Sequence, residues 1–146
     1  MLSLRDLPFS PYREIELFQA GRLSEMAGKF GAAATFVGNM RDFNEGDRVS
    51  EMFLEHYPGM TERCLEKIIE EAGRRWSFLE ALVIHRVGKI EPGETIVLVA
   101  IWSTHRGSAF DACRYIMEEL KSRAPFWKKE TLPDLERWVA HNTNGY

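Results

Sequence analysis

The sequence has little of several features that mark whole classes of protein. Its two cysteines, Cys64 and Cys113, are too far apart to form a CxxC redox motif, and the four histidines show no spacing typical of metal ligands. No apolar run approaches a membrane span, and the start, MLSLRDLPFS, lacks the apolar run of a signal peptide. We therefore expect a cytoplasmic protein without a metal, with both thiols reduced and buried.

An excess of positive charge is also absent. Lys and Arg number 19 against 22 Asp and Glu, which gives a formal net charge of -3. A general affinity for nucleic acid or for an anionic membrane is therefore not expected. Any binding of anions has to come from a local cluster of basic residues.

The rest of the composition is that of an ordinary globular protein, with 45% hydrophobic and 28% charged residues. A chain of 146 residues has the length of one domain, which buries roughly two-thirds of its unfolded surface. We find no repeats, low-complexity tracts or linker. The sequence therefore predicts a single domain over residues 1–146.

Periodicity and turn residues predict an α+β fold in which helices cover a largely antiparallel sheet. A short strand or an extended arm is predicted at 1–11, and helices at 12–20, 23–27, 61–76, 105–123 and 132–140. Strands are predicted at 31–40, 50–57, 78–87 and 94–103, with a loop at 41–48 and an extended segment at 126–130. The tail, residues 141–146, is expected to be frayed.

Three local signals refine this prediction. Pro92 and Gly93 fit positions two and three of a type II turn, which indicates an antiparallel hairpin. The run IVLVAIW is apolar on both faces and is typical of a central strand. Ser103 or Thr104 is a suitable cap for the helix that follows.

The stretch from His105 to Glu130 concentrates the residues that can do chemistry. It opens with a His-Arg pair, continues as an amphipathic helix and breaks at Pro125, which disfavours helical geometry at the residue before it. Its basic side chains able to reach an anion are Arg106, Lys121, Arg123, Lys128 and Lys129. The apolar stripe of the helix is predicted to comprise Phe110, Cys113, Met117 and Leu120, with Glu118 and Glu119 facing away.

Lys121 projects beside Met117 at the edge of this stripe. Two interpretations stay open. The side chain either extends along apolar surface to place its ammonium in water, or it is covered by apolar neighbours, which would lower its pKa and suit it to acid-base work.

Five segments resemble a known family: TFVGNMR (35–41), LEHYPGM (54–60), HRVGKIEPGE (85–94), HRGSAF (105–110) and KSRAPFWKKE (121–130). In this order they resemble the large, catalytic subunit of molybdopterin synthase. The resemblance covers roughly residues 30 to 138, and the first 30 residues and the tail match poorly. It implies an α/β-hammerhead fold, in agreement with the predicted α+β class.

The resemblance also implies a sulfurtransferase of molybdenum cofactor biosynthesis. A small ubiquitin-like sulfur-carrier subunit would insert its C-terminal Gly-Gly thiocarboxylate, and two sulfurs would pass to cyclic pyranopterin monophosphate to form the dithiolene of molybdopterin. The implied assembly is a heterotetramer built on a homodimer of large subunits. No cofactor is implied, because molybdenum enters at a later step.

By the family pattern, the residues expected to be catalytic are His105, Arg106, Lys121 and Lys128. The remaining substrate-binding residues are expected to be Asn39, Met40, Arg41, Lys129 and Glu130, with Phe36 and Met117 as pocket walls. Phosphate and thiocarboxylate are both anions, which arginine binds through forked donors. Lysine can bind an anion and, once desolvated, also exchange a proton.

The expected roles differ between these residues. Arg106 and Arg41 are expected to bind substrate anions, and His105 to orient the substrate or transfer a proton. Lys121 is expected to act on the thiocarboxylate, and Lys128 on the pterin or the donor tail. Because His105 and Arg106 precede Lys121 by about four helical turns, Arg41 and a second subunit are expected to complete the site.

Other readings of the same residues remain. The basic pocket would also serve a non-catalytic binding module for a phosphorylated ligand or an acidic protein C-terminus. A persulfide route through Cys64 or Cys113 is a rival mechanism, although it needs an exposed thiol of low pKa. His56 and His85 are interpreted as structural histidines. The four tryptophans are interpreted as core or interface residues.

Overall fold

The computed structural model describes residues 1–140, so the predicted frayed tail and His141 lie outside the described residues. The helices are α1 (Pro11–Gly21), α2 (Met60–Arg75) and α3 (Arg106–Arg123), with a 3-10 turn at Ser24–Met26. The longer strands are β1 (Leu2–Arg5), β2 (Ala32–Asn39), β5 (Glu51–His56), β6 (Glu80–Arg86), β8 (Thr95–Ser103) and β9 (Phe126–Thr131). The shorter strands are β3 (Phe43–Asn44), β4 (Asp47–Arg48), β7 (Gly88–Ile90) and β10 (Glu136–Trp138).

The larger strands form two four-stranded sheets. The first has the order β1-β6-β8-β2, in which only the β1–β6 pair is parallel. The second has the order β10-β9-β5-β7 and is antiparallel throughout. The predicted α+β class, with a largely antiparallel arrangement, is confirmed.

The predicted hairpin between β6 and β8 is confirmed, with one addition. These strands pair antiparallel, and Gly93 lies at φ 88° in a turn closed by the hydrogen bond from the Glu94 amide to the Glu91 carbonyl. Between them, however, β7 leaves the first sheet and pairs with β5. The connection therefore links the two sheets.

The first sheet is covered on both faces, as the apolar run of β8 predicts. Val97, Val99 and Ile101 face α2 and α3 in one cluster of buried residues. Leu98, Ala100 and Trp102 face α1 in another, where the ring of Trp102 stacks on Phe18 at a centroid distance of 5.1 Å. Alternate residues of one strand thus anchor two separate cores.

The predicted helix at 132–140 is wrong. Leu132 begins a tight turn in which its amide donates to the Leu135 carbonyl, and residues 136–138 pair with β9 as strand β10. Pro133 lacks an amide hydrogen and disfavours helical geometry at Leu132, while the edge of β9 offers partners for the backbone. Trp138, interpreted from the sequence as a core or interface residue, is exposed.

Two predictions about α3 also need correction. His105, and neither Ser103 nor Thr104, occupies the cap position, and it makes no side-chain cap; the Ser103 hydroxyl accepts from the His105 amide at 3.4 Å and donates to the Ser77 carbonyl. Phe110 is exposed, whereas Cys113, Met117 and Leu120 are buried as predicted. The buried stripe therefore runs through Ala109, Ala112 and Ile116, small and branched residues that fit against the sheet.

The loop predicted at 41–48 contains the small hairpin β3–β4. Glu45 and Gly46 form its turn with φ of 53° and 88°, the left-handed values of a two-residue hairpin turn. No helix among residues 1–140 is both long and apolar enough to cross a membrane.

Candidate anion-binding site

A cavity of about 440 Å³ lies where the two sheets meet the end of α3. Six of the predicted substrate-binding residues line it: Asn39, Met40, Arg41, Lys121, Lys128 and Glu130. The predicted walls, Phe36 and Met117, line it as well. Three cationic side chains from three separate segments are thereby brought to one concave surface.

The end of β2 delivers Arg41 to the cavity. The pairing of β2 with β8 shifts register between Gly38 and Asn39, which bends the strand as it leaves the sheet. A Cβ atom on Gly38 would lie 2.9 Å from Cγ1 of Val97, so only glycine fits there without displacing a neighbour. The Arg41 guanidinium then lies over the Phe43 ring, 4.9 Å from its centroid.

Lys121 and Lys128 reach the cavity from the two arms of one turn. Lys121 lies in the last turn of α3, and Lys128 lies on β9 beyond Pro125. The pKa of Lys121 is lowered by burial, by the charge of Lys128 and by that of Arg41, against an opposing effect of Glu118. The residue as a whole is exposed, as the first interpretation of Lys121 has it, whereas the direction of its pKa shift is that of the second.

Glu130 supplies negative charge at the same wall. Its carboxylate is buried and accepts hydrogen bonds from Asn44 at 2.9 Å and from Arg137 at 3.1 Å, and it pairs with Lys128 at 3.2 Å. Burial acts to raise the pKa of Glu130, but these partners outweigh it and lower the pKa. The carboxylate therefore stays charged and holds Lys128 in place.

His85 forms part of the floor. Its ring stacks on Phe126 with centroids 4.1 Å apart and planes inclined by 12°, and Nδ1 lies 2.7 Å from the Arg86 carbonyl oxygen. Burial lowers the pKa of His85 to about 4, although the bond to the carbonyl opposes this. A neutral ring whose Nδ1–H donates to the carbonyl agrees with its interpretation as a structural histidine.

Three of the predicted site residues do not line this cavity. His105 and Arg106 lie at the other end of α3, about 22 Å from Lys121 at 1.5 Å per residue, and both are exposed. Lys129 lies on the opposite face of β9, where it pairs with Glu136 at 3.0 Å. The chain alone therefore assembles only part of the predicted constellation.

The cavity also contains residues that we did not predict. His85 was detectable, because it shares the face of β6 with buried Ala81 and Val83 and alternation extends that face to the strand end. Asn44 carried no such signal, because its position depends on the β3–β4 hairpin. Glu118, predicted to face away, also lines the cavity.

The expected burial of both thiols is confirmed for Cys113 but not for Cys64. Burial raises the pKa of Cys113 to about 11, and its Sγ lies 3.7 Å from the Val99 carbonyl oxygen. Cys64 is half-buried, with Sγ 3.6 Å from the Arg123 carbonyl oxygen. Within the described residues, no group of three His, Cys, Asp or Glu side chains is placed to hold a metal ion.

The fold and the cavity together define a small α+β protein with a cationic, partly apolar site for an anionic organic ligand. The model of the MoaE protein family matches residues 12–123. This match covers most of the sequence and includes the segments that carry the resemblance up to Arg123. The chain belongs to the MoaE family, and the resemblance is confirmed.

Individual relatives agree with this assignment. The molybdopterin synthase catalytic subunit of Ralstonia nicotianae is 51% identical over 138 residues, which cover 94% of this chain and 76% of that protein. The protein of the same name from Pseudomonas aeruginosa is 49% identical, with 94% and 89% covered. The structure of a molybdopterin biosynthesis MoaE protein from Burkholderia ambifaria has a TM-score of 0.80 at 46% identity, with 99% and 92% covered.

Proposed function

We propose that this protein is the catalytic subunit of a molybdopterin synthase. It transfers sulfur from the C-terminal thiocarboxylate of a small ubiquitin-like partner to cyclic pyranopterin monophosphate, forming the dithiolene of molybdopterin. The observation that carries the proposal is the convergence of Arg41, Lys121 and Lys128 on one cavity in a member of this family. Membership of the family indicates the reaction, and the cavity contains the cationic groups that this reaction needs.

The two reactants explain the charge of the site. The pterin carries a phosphate and the partner's tail carries a thiocarboxylate, so two anions have to lie side by side. Arg41 provides a permanent cation with forked donors, and Lys128 provides a point charge held by Glu130. The apolar side chains of Phe36 and Met117 give the pterin ring a surface to lie against.

Lys121 is suited to the sulfur-transfer step itself. Transfer of sulfur breaks the carbon–sulfur bond of the thiocarboxylate, and water supplies the oxygen that makes a carboxylate on the partner, so charge and protons are redistributed at that carbon. An ammonium group of lowered pKa binds the anion and gives up a proton more readily than an ordinary lysine does. We assign this role to Lys121.

His105 and Arg106 enter the proposal through a second copy of the chain. Since they are about 22 Å from Lys121 on the same helix, they reach a cavity only if another subunit presents them. We propose a homodimer in which each cavity receives His105 and Arg106 from the partner copy, within a heterotetramer that includes two sulfur-carrier subunits. The reaction is proposed to take place in the cytoplasm, where cysteines such as the two free ones here stay reduced.

A single-turnover reaction tests the function. The protein is mixed with thiocarboxylated partner and cyclic pyranopterin monophosphate, and dithiolene formation is measured. We expect product from the wild type and a rate at least about 100-fold lower for Lys121→Ala, since proton transfer by a positioned group contributes at least that factor. Affinity for the partner is expected to stay near that of the wild type.

Lys67→Ala is the matched control, because Lys67 lies on the exposed face of α2 away from the cavity. This variant should react at the wild-type rate. Tight binding of the pterin or the partner without any product from the wild type would contradict the proposed activity. That result would instead support the non-catalytic binding module.

A further inference from the structure

The segment HYPGMT, residues 56–61, consists of the end of the LEHYPGM motif and the threonine that follows it, and none of its side chains lines the cavity. Thr61 is its most deeply buried member, with no exposed surface. A fully buried hydroxyl needs hydrogen-bond partners, and those partners indicate what the residue does.

The Thr61 hydroxyl joins two backbones that are distant in sequence. Its Oγ1 accepts a hydrogen bond from the Tyr57 amide at 3.0 Å and donates one to the Pro125 carbonyl at 3.3 Å. The turn before it explains its position, because Gly59 at φ 79° lets the chain reverse and begin α2. The first turn of α2 is thereby attached to the turn between α3 and β9.

The turn between α3 and β9 sets the distance between the two lysines of the cavity, Lys121 and Lys128. The Phe126 amide donates to the Ala124 carbonyl at 2.8 Å, which makes a three-residue turn centred on Pro125. Lys121 lies before this turn and Lys128 after it. A small change of angle at Pro125 therefore changes the distance between the two ammonium groups.

The turn is braced from two directions. On the side of α2 it is held by the Thr61 hydroxyl and by the weak contact of Cys64 Sγ with the Arg123 carbonyl. On the side of strand β6, the His85 ring stacks on Phe126, the residue after Pro125. Thr61 makes the hydrogen bond from α2 to the central residue of the turn, and its oxygen–oxygen distance of 3.3 Å is longer than the roughly 2.5–3.0 Å of most O–H···O bonds.

We propose that Thr61 is a positioning residue: by holding the Pro125 carbonyl, it sets the separation of Lys121 and Lys128 in the cavity. This inference deepens the proposed function and, for its catalytic consequence, rests on it. Threonine suits the role because one hydroxyl both accepts and donates. Valine has the same shape but would leave the Tyr57 amide and the Pro125 carbonyl without this partner.

The pKa of Lys121 reports this geometry directly. The charged and titratable groups around it are Glu118 on its own helix, Arg41 after β2, His85 on β6, and Lys128 and Glu130 on β9. If β9 moves away from α3, repulsion from Lys128 and burial both weaken. The pKa of Lys121 then rises toward its ordinary value.

Two pairs of variants isolate the hydroxyl. Wild type and Thr61→Val differ by the hydroxyl at constant shape, and Thr61→Ser and Thr61→Ala differ by it without the methyl group. The pKa of Lys121 is measured by NMR on lysine labelled at the ammonium nitrogen, in the isolated protein. Sulfur transfer with the thiocarboxylated partner gives kcat and KM.

We expect the wild type and Thr61→Ser to share a low Lys121 pKa, and Thr61→Val and Thr61→Ala to have a higher one. Their kcat should fall about tenfold, since small misplacements of reacting groups slow catalysis strongly, while KM changes little. Ser122→Ala, which removes an exposed hydroxyl from α3, should match the wild type. Should Thr61→Val fail to fold, the serine and alanine variants make the same comparison.

An unchanged Lys121 pKa in the hydroxyl-free variants, whatever their stability, would overturn the proposal. A change in pKa together with unchanged kcat would overturn its catalytic part. If the wild type transfers no sulfur but its Lys121 pKa still depends on the hydroxyl, the proposed function fails while the positioning by Thr61 stands.

Discussion

Lys121 and Lys128 carry the same charge in the same cavity but have different surroundings. Lys128 pairs with the buried carboxylate of Glu130 at 3.2 Å, which holds its ammonium group in place. Lys121 is subject to burial and to the positive charges of Lys128 and Arg41, which lower its pKa. In our proposal, this difference separates a cation that binds from a cation that exchanges a proton, which sequence position alone does not do.

The burial of His85 beneath the cavity can be tested through the pH dependence of stability. Its pKa is about 4 in the folded chain and near 6.5 when unfolded, so the unfolded chain takes up a proton first as the pH falls. Stability contributed by neutral His85 is present above pH 6.5 and is lost toward pH 4. Between pH 6.5 and 5 the free energy of unfolding should fall by about 2 kcal/mol from this group.

Urea unfolding at several pH values measures this loss. His85→Gln, which removes the titrating ring, should lose less stability than the wild type between pH 6.5 and 5. Equal losses in the two proteins would show that His85 is not the group responsible.

Strand β10 and the β3–β4 hairpin act together at the edge of the cavity. Arg137 on β10 bonds Asp47 at 2.8 Å, the Asn44 carbonyl at 3.2 Å and Glu130 at 3.1 Å. One guanidinium thus ties the hairpin to the buried carboxylate that holds Lys128. Because Asn44 lines the cavity, the hairpin is part of the site and depends on a strand nearly ninety residues later in the chain.

Replacing Arg137 by Ala should loosen this edge. The hairpin loses its main attachment and Glu130 loses one of its donors, so we expect KM for the pterin to rise about tenfold, the effect of losing a hydrogen bond to a charged group. Steady-state kinetics with saturating partner measures it. Arg22→Ala removes an Arg–Glu pair far from the cavity and should leave KM unchanged; equal effects of both variants would contradict the attachment.

The complete site is expected to need two copies of the chain. A single α3 cannot bring His105 and Arg106 to its own cavity, because a helix is rigid and about 22 Å separates Arg106 from Lys121. A twofold dimer solves this by symmetry, since each copy gives and receives the same residues. The homodimer is thus a condition of catalysis in our proposal.

Mixing two inactive variants tests this arrangement. Lys121→Ala and His105→Ala should each be inactive as homodimers. After exchange of subunits, half of the dimers are mixed and each has one intact cavity, so roughly a quarter of wild-type activity should return. If each cavity uses its own His105, the mixture will remain inactive.

The sequence was informative about local structure because that structure depends on short-range chemistry. Period-two alternation located β8 with apolar residues on both faces, and Pro125 correctly ended α3. The prediction from sequence was wrong at residues 132–140, where apolar residues suggested a helix. Pairing with β9 makes residues 136–138 a strand instead. A strand that depends on a distant partner leaves little signal in its own residues. The single-domain prediction remains a prediction.

The family, the α+β class and the residue types of the site follow from the amino-acid sequence, because motifs and periodicity are properties of neighbouring residues. The stretch from His105 to Glu130 concentrates basic side chains in the sequence, and folding divides them. Its later lysines join Arg41 in the cavity, Lys129 faces outward, and His105 with Arg106 lies a helix length away. Which charges meet, and how their pKa values shift, depends on packing between distant segments, where burial and neighbouring charges act together.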